Sequence, residues 1–276
     1  TEGPWATQCI LGLDAQSCPT GTAGLMNESN ADLYDRSATN WTRTEPMLLS
    51  DFTARPFLLS WCEPIHGLRV LDLGCGEGYF ARQLKQRGAA YVEGIDSSKQ
   101  MIAGAMAAEQ AEPLGIGYRV SDAEKLSEFH DEQFDLVVAV FLFNYVDHEK
   151  MTSIMKGIFR VLRGGGRFIF SVPHPFFAFL HEEQPPFYFR RNRTDYFSGR
   201  NQLFEGRIWR RDGTNVPVRC IHKTFDDYFT SLAAAGFTSL PDIQELYAQP
   251  KHLEMDPDFF EPLKNKPLHL AFRIMR

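Results

Sequence analysis

Long apolar runs are missing from this sequence. No stretch approaches the roughly 18 uninterrupted apolar residues that a membrane-spanning helix needs. The longest, LVVAVFLF at 136–143, has the length of a buried strand. Positive charge is in deficit too: across 276 residues, 29 Lys and Arg face 35 Asp and Glu, a formal net charge of −6. General attraction to nucleic acid or to a membrane surface is therefore not expected. Cysteine is sparse and odd in number, at Cys9, Cys18, Cys62, Cys75 and Cys220. No pair has zinc-site spacing, and nothing suggests a disulfide framework. That usage fits a reduced, cytoplasmic compartment, and neither metal nor nucleic acid is expected as a partner.

What is present is regular alternation. Residues 1–26 mix Gly, Pro, Thr and Ser with little periodicity and read as an irregular leader. A helical cap is expected over 27–64, interrupted at Pro56. From there, apolar strands (LRVLDL, AYVEGID, IGYRV, FDLVVAVFLF, RFIFSV) alternate with helical patterns. In EKMTSIMKGIFRVLR the apolar residues 151, 154, 155, 158, 159 and 162 lie on one helical face. Ser97 and Gln100 read as a capping box for the helix after the second strand. Such alternation means an α/β fold with a parallel, covered sheet. The pattern lapses over 173–223, a segment rich in aromatics and Arg that is too long for a simple connection and reads as a lid or substrate-binding insertion. A capped helix ending at Gly236 and two strands complete the domain, which spans 27–276.

Chemistry concentrates in VLDLGCGEGYF at 70–80, where a strand ends in Asp72 and is followed by Gly74, Gly76 and Gly78. No Lys-Ser or Lys-Thr follows, which excludes a P-loop. The dinucleotide fingerprint would need Gly or Ala at 79, and that position is Tyr79. S-adenosylmethionine (SAM) carries a sulfonium, an ammonium and a carboxylate but no phosphate. A glycine loop that lets backbone approach closely, flanked by a carboxylate, suits it.

LDLGCGEG resembles the first motif of the class I SAM-dependent methyltransferases, and the resemblance continues in family order over roughly 65–172 and 224–275. Asp96, ending the second strand 24 residues after Asp72, matches the acid that binds the ribose hydroxyls. SDAEKL at 121–126 resembles the adenine-site motif, with Asp122 facing the exocyclic amine. FDLVVAVFLFNYV and VLRGGGRFIFS resemble later motifs. Tyr34 and Trp41 resemble the N-terminal helix that covers the cofactor. The resemblance implies a Rossmann-like, doubly wound seven-stranded sheet, mostly parallel with an antiparallel last strand. It implies SAM as cofactor, bound by Tyr34, Trp41, Asp72, Gly74, Cys75, Gly76, Gly78, Asp96, Ser97, Met101, Asp122, Ala123 and Phe141. Plainer readings stand beside these: a tight turn at the glycines, a helix cap at Asp96, a turn residue at Asp122, a small filler at Cys75.

The expected reaction is in-line methyl transfer to a small molecule with an aromatic or apolar portion. The signature of exocyclic-amine and amide enzymes is absent after the fourth strand. Asp147 alone does not make the acidic set of the metal-dependent catechol enzymes. Asn144, Tyr145, Tyr196 and Trp209 are the substrate-binding candidates. His174 and His222 are the candidate general bases, each with the plainer alternative of a hydrogen-bonded support. Nine Lys or Arg against five Asp or Glu over 175–223 suggest either a solvated surface or an Arg that meets an anionic acceptor. RNA or protein methylation and non-catalytic SAM binding are the alternatives. A monomer or homodimer is expected.

Overall fold

The run at 136–143 becomes a strand as far as Val140, and that strand sits at the centre of a sheet. In the computed structural model, which describes residues 29–276, β1 is Arg69–Leu73, β2 Tyr91–Asp96, β3 Gly117–Val120, β4 Phe134–Val140 and β5 Leu162–Pro173. β6 is Phe187–Arg190, β7 Leu203–Trp209, β8 Asn215–Ile221, β9 Asp242–Leu246 and β10 His269–Met275. The helices are α1 (Asn30–Trp41), α2 (Leu49–Thr53), α3 (Arg55–Trp61), α4 (Tyr79–Gln86) and α5 (Lys99–Ala111). They continue as α6 (His148–Val161), α7 (Phe177–Leu180), α8 (Phe225–Ala235), α9 (Pro250–Met255) and α10 (Pro257–Phe260). The leader expected over 1–26 lies outside the described residues. None of the described helices is long and apolar enough to cross a membrane.

Seven strands form one sheet in the order β3-β2-β1-β4-β5-β10-β9. β1 to β5 pair in parallel, while β10 runs antiparallel to both β5 and β9. The chain winds outward from β1 to β3, then returns to β4 beside β1. That reversal leaves a crevice at the carboxyl ends of β1 and β4, the switch point where open α/β sheets bind ligands. One face is covered by α6 and α8, whose Ile154, Ile158, Tyr228 and Leu232 pack on Phe168, Phe170 and Phe272. On the other face, α3 and α4 bring Leu58, Leu59, Phe80 and Leu84 against Val70, Val138 and Ile169.

Two local expectations differ from the structure. The cap of α5 is Ser98, not Ser97: Ser98 Oγ accepts from the Met101 N–H at 3.1 Å, one residue further on. The segment over 173–223 is also more regular than its sequence suggests. β6, β7 and β8 form an antiparallel meander, and β7 alternates exposed and buried residues along its length. Gly206 within β7 and Pro217 within β8 hide that period-two pattern in the sequence. Pro217 is tolerated because β8 is an edge strand. The meander packs Phe187, Phe204, Ile208 and Val216 against Leu48, Leu49 and Phe260 in a third apolar cluster.

Candidate active site

Where β1 gives way to α4, Gly74, Gly76 and Gly78 all have positive φ, at 76°, 55° and 81°. A side chain at Gly78 would place its Cβ 2.4 Å from the Tyr118 hydroxyl. At Gly76 a Cβ would meet nothing within 4 Å, so the backbone there borders open space. Asp96 holds this loop from β2, accepting from the Gly76 N–H through Oδ2 and from the Ser98 N–H through Oδ1, both at 2.9 Å. Burial raises its pKa against those donors. α1 is tied to the same turn: Asp35 Oδ1 accepts from Ser98 Oγ at 2.5 Å and from the Gln100 N–H at 3.0 Å. Its Tyr34 is hydrogen-bonded to the Tyr145 hydroxyl.

Above the carboxyl edge of the sheet lies a cavity of about 570 Å³, within the range of small-molecule sites. Sheet order arranges its lining. Ser121 and Asp122 follow β3, Asp96 and Ser97 follow β2, and Asp72, Gly74, Cys75 and Gly76 close β1. Phe141 follows β4, Pro173 ends β5, and His269 begins β10. Phe187, Phe189, Ile208, Val218 and Ile221 complete it with an apolar wall from the inserted meander.

The carboxylate of Asp72 is the outstanding electrostatic feature. It is 1% exposed, and neither oxygen has a hydrogen-bond partner of normal geometry. Burial pushes its pKa up to about 7, opposed by Arg55 and reinforced by Asp96. Arg55 thus offsets only part of the cost of ionising a carboxylate so placed. Beside it runs a buried ionic network. Arg43 donates through Nε and Nη2 to Asp51 at 2.7 and 2.9 Å and through Nη1 to Glu77 at 3.0 Å. Glu77 also accepts from Arg82 at 2.9 Å, and Asp51 from Arg55 at 3.0 Å. The network ties the segment around α2 to the glycine loop.

Of the residues expected in the site, Tyr34, Trp41, Asp72, Gly74, Cys75, Gly76, Asp96, Ser97, Met101, Asp122, Ala123, Phe141, Asn144 and Tyr145 all line this cavity. Asp122 also makes the turn anticipated for it, accepting from the Glu124 N–H at 2.9 Å. Cys75 is a buried thiol whose pKa is raised well above normal by desolvation, which suits filling rather than nucleophilic chemistry. Asp147 caps α6, accepting from the Lys150 N–H at 2.8 Å.

Gly78, His174, His222, Tyr196 and Trp209 do not line the cavity. Gly78 caps α4 against Tyr118. His174 Nδ1 accepts from the Phe176 N–H at 3.2 Å, which makes Nε2 the donor to Glu245 at 2.9 Å. The ring thus fastens the chain after β5 to β9. His222 stacks on Phe204 with Nε2 2.8 Å from the Tyr196 carbonyl. Tyr196 stacks on Phe176 and accepts from the Phe225 N–H at 2.5 Å, and Trp209 lies by Tyr188. His174 and Tyr196 thus hold the insertion to the domain, while the contacts of His222 and Trp209 fall within it. Conversely, the cavity recruits residues the sequence reading passed over, among them Arg43, Ser50, Arg55, Glu77 and His269.

Residues 70–166 match the model of the methyltransferase domain family. An uncharacterized protein of Haemophilus influenzae is 28% identical over 200 residues, 71% of this chain and 77% of its own length. A ubiquinone biosynthesis O-methyltransferase of Pseudomonas fluorescens is 30% identical over 152 residues, 53% of this chain and 64% of the relative. The chain thus spans just under two thirds of that enzyme's length. The crystal structure of an S-adenosylmethionine-dependent methyltransferase from Mesorhizobium loti superposes with a TM-score of 0.59 at 24% identity, covering 80% of this chain and 96% of that one.

The residues present fit SAM. Open space over Gly76 admits a ligand against the backbone, and the unpartnered Asp72 carboxylate calls for a cationic group, which SAM supplies. Residues 70–166 thus carry a methyltransferase domain, the chain has the fold of S-adenosylmethionine-dependent methyltransferases, and SAM is the cofactor its cavity fits.

Proposed function

We propose that the protein transfers a methyl group from SAM to a small molecule with an aromatic or apolar portion, and that residues 173–223 serve as the lid that binds it. The observation that carries this reading is continuity. One cavity joins the glycine loop, Asp72 and Asp96 to the apolar wall of Phe187, Phe189, Ile208, Val218 and Ile221. Bound there, SAM would supply a methyl group on a sulfonium, activated for displacement. Asp72 would hold the cationic amino acid end, Asp96 the ribose and Asp122 the adenine. The apolar wall would exclude water and set the acceptor in line.

The arginines of the insertion do not favour an anionic acceptor or RNA. None lines the cavity, and several are paired elsewhere: Arg190 with Glu183, Arg200 with Asp227, Arg210 with Asp212 and Arg211 with Asp256. The name of the P. fluorescens relative, an O-methyltransferase of ubiquinone biosynthesis, supports a small molecule methylated on oxygen.

Incubation with methyl-labelled SAM and a cell extract split by ultrafiltration tests this. Label should enter the low-mass fraction; label only in the retained fraction would move the acceptor to RNA or protein. Removing apolar contact with the acceptor costs about 1–3 kcal/mol. Ile208→Ala should therefore lower kcat/KM for the low-mass acceptor about tenfold or more, while affinity for S-adenosylhomocysteine (SAH) stays within about twofold.

A further inference from the structure

His269 heads β10 and is 2% exposed, yet it lines the cavity. Its hydrogen bonding fixes its tautomer. Thr53 Oγ1 donates its only proton to the Leu49 carbonyl at 2.9 Å. At 3.1 Å from His269 Nε2, that hydroxyl can then only accept, so Nε2 carries the proton. Nδ1, on the other side of the ring, is a bare lone pair with no partner in the protein. Buried acceptors are rarely left so. The rings of Phe141 and Phe187 stand 5.0 and 6.2 Å from the imidazole, and both residues line the same cavity.

Strand alternation explains why this histidine, rather than His174, reaches the cavity. His269 pairs in register with Pro173, so the two share a face, and both line the cavity. His174, one residue on, turns to the opposite face and meets Glu245.

We infer that His269 Nδ1 receives the proton of the acceptor's hydroxyl, so that the acceptor is an alcohol or phenol with an apolar body. This rests on the methyl-transfer reading above. As the oxygen–methyl bond forms and the methyl–sulfur bond breaks, its electron pair remaining on sulfur, His269 takes the hydroxyl proton. The positive charge lost from sulfonium reappears on imidazolium, so the charge of the closed site is conserved; the proton leaves when the product does. Burial, with Arg55 and His174 as the charged and titratable neighbours, holds the resting ring neutral, its pKa lowered to about 3. The lone pair is thus always free to orient a hydroxyl, and accepts its proton only as the methyl group arrives.

Histidine-selective ¹⁵N NMR of the full chain saturated with SAH is the test, with phenol and anisole as probes. The expected spectrum shows His269 neutral with Nε2 protonated, Nδ1 shifted by phenol and not by anisole, and the tautomer preference lost in Thr53→Val. An Nδ1–H tautomer, an imidazolium, an Nδ1 indifferent to phenol, or one moved equally by anisole would overturn the inference. In the ultrafiltrate assay, His269→Asn should lower kcat about 100-fold, with KM for SAM and affinity for SAH within about twofold. An unchanged kcat would also overturn it. Failure of the wild type to bind SAH would instead count against the methyl-transfer reading itself.

Discussion

Replacing Asp72 by Asn should stabilise the ligand-free protein and weaken SAM binding about 100-fold or more. Both effects follow from one buried carboxylate with no partner. Its pKa is raised from 3.8 to about 7. Between those values the folded state holds a proton that the unfolded chain has released, so stability falls as pH rises through this window and levels off above it. About three pKa units correspond to roughly 4 kcal/mol of strain above pH 7. An amide of the same shape removes the charge but leaves a buried polar group, at about 1–3 kcal/mol. The net gain is about 1–3 kcal/mol, several degrees in Tm above neutrality, shrinking towards pH 4. Thermal melts of both proteins across this range measure it. On the proposed reading, SAM would bring a cationic group to this carboxylate in the wild type, and binding below pH 7 would release the Asp72 proton. Affinity should therefore fall up to about tenfold per pH unit below neutrality, with proton release visible in buffers of different ionisation enthalpy. A variant that loses stability while keeping SAM affinity would remove Asp72 from the cation site.

Asp51→Asn should do the reverse and destabilise the fold by about 3–5 kcal/mol. The Asp51 carboxylate is fully buried and accepts from Arg43 and Arg55 and from the Met47 and Leu48 N–H groups. An amide cannot balance two guanidinium groups, and the uncompensated charge is what makes breaking a buried pair expensive. Burial alone would raise the Asp51 pKa, but Arg55 and Arg43 more than reverse it, leaving it below 3.8. Its contribution is therefore complete above pH 3.8 and is lost as pH falls through its lower folded value. The variant should lose about 10 °C in Tm at neutral pH, and its melting should lack the wild type's steep decline below about pH 4. Because Arg43 joins Asp51 to Glu77 of the glycine loop, SAM affinity should fall as well. A Tm within about 2 °C of wild type would mean that the network is solvated rather than buried.

The glycine-loop side of the cavity was legible because its signals are local. A buried strand, an acid and glycines at 74, 76 and 78 are read from neighbouring positions, and Asp96 from the end of the next strand. The rest of the lining converges through topology, which leaves no mark in a window of sequence. His269 enters because β10 inserts antiparallel between β5 and β9, bringing its first residue to the carboxyl edge. Arg43 and Arg55 enter because the segment around α2 folds back onto the glycine loop. His174 drew attention by following a strand directly, yet one residue of alternation turns it to the wrong face. The meander was hidden by Gly206 and Pro217, residues that usually interrupt strands and here are accommodated within β7 and at the edge strand β8.

Equilibrium dialysis of the full chain against labelled SAM, with SAH as competitor and Asp72→Asn alongside, is the most direct test of a glycine-loop cavity built for this cofactor. One site per chain is expected at about pH 8, with a dissociation constant of about 1–100 μM, displaced by SAH and lost in the variant. No retention of SAM at millimolar concentration, or retention that Asp72→Asn leaves unchanged, would contradict it.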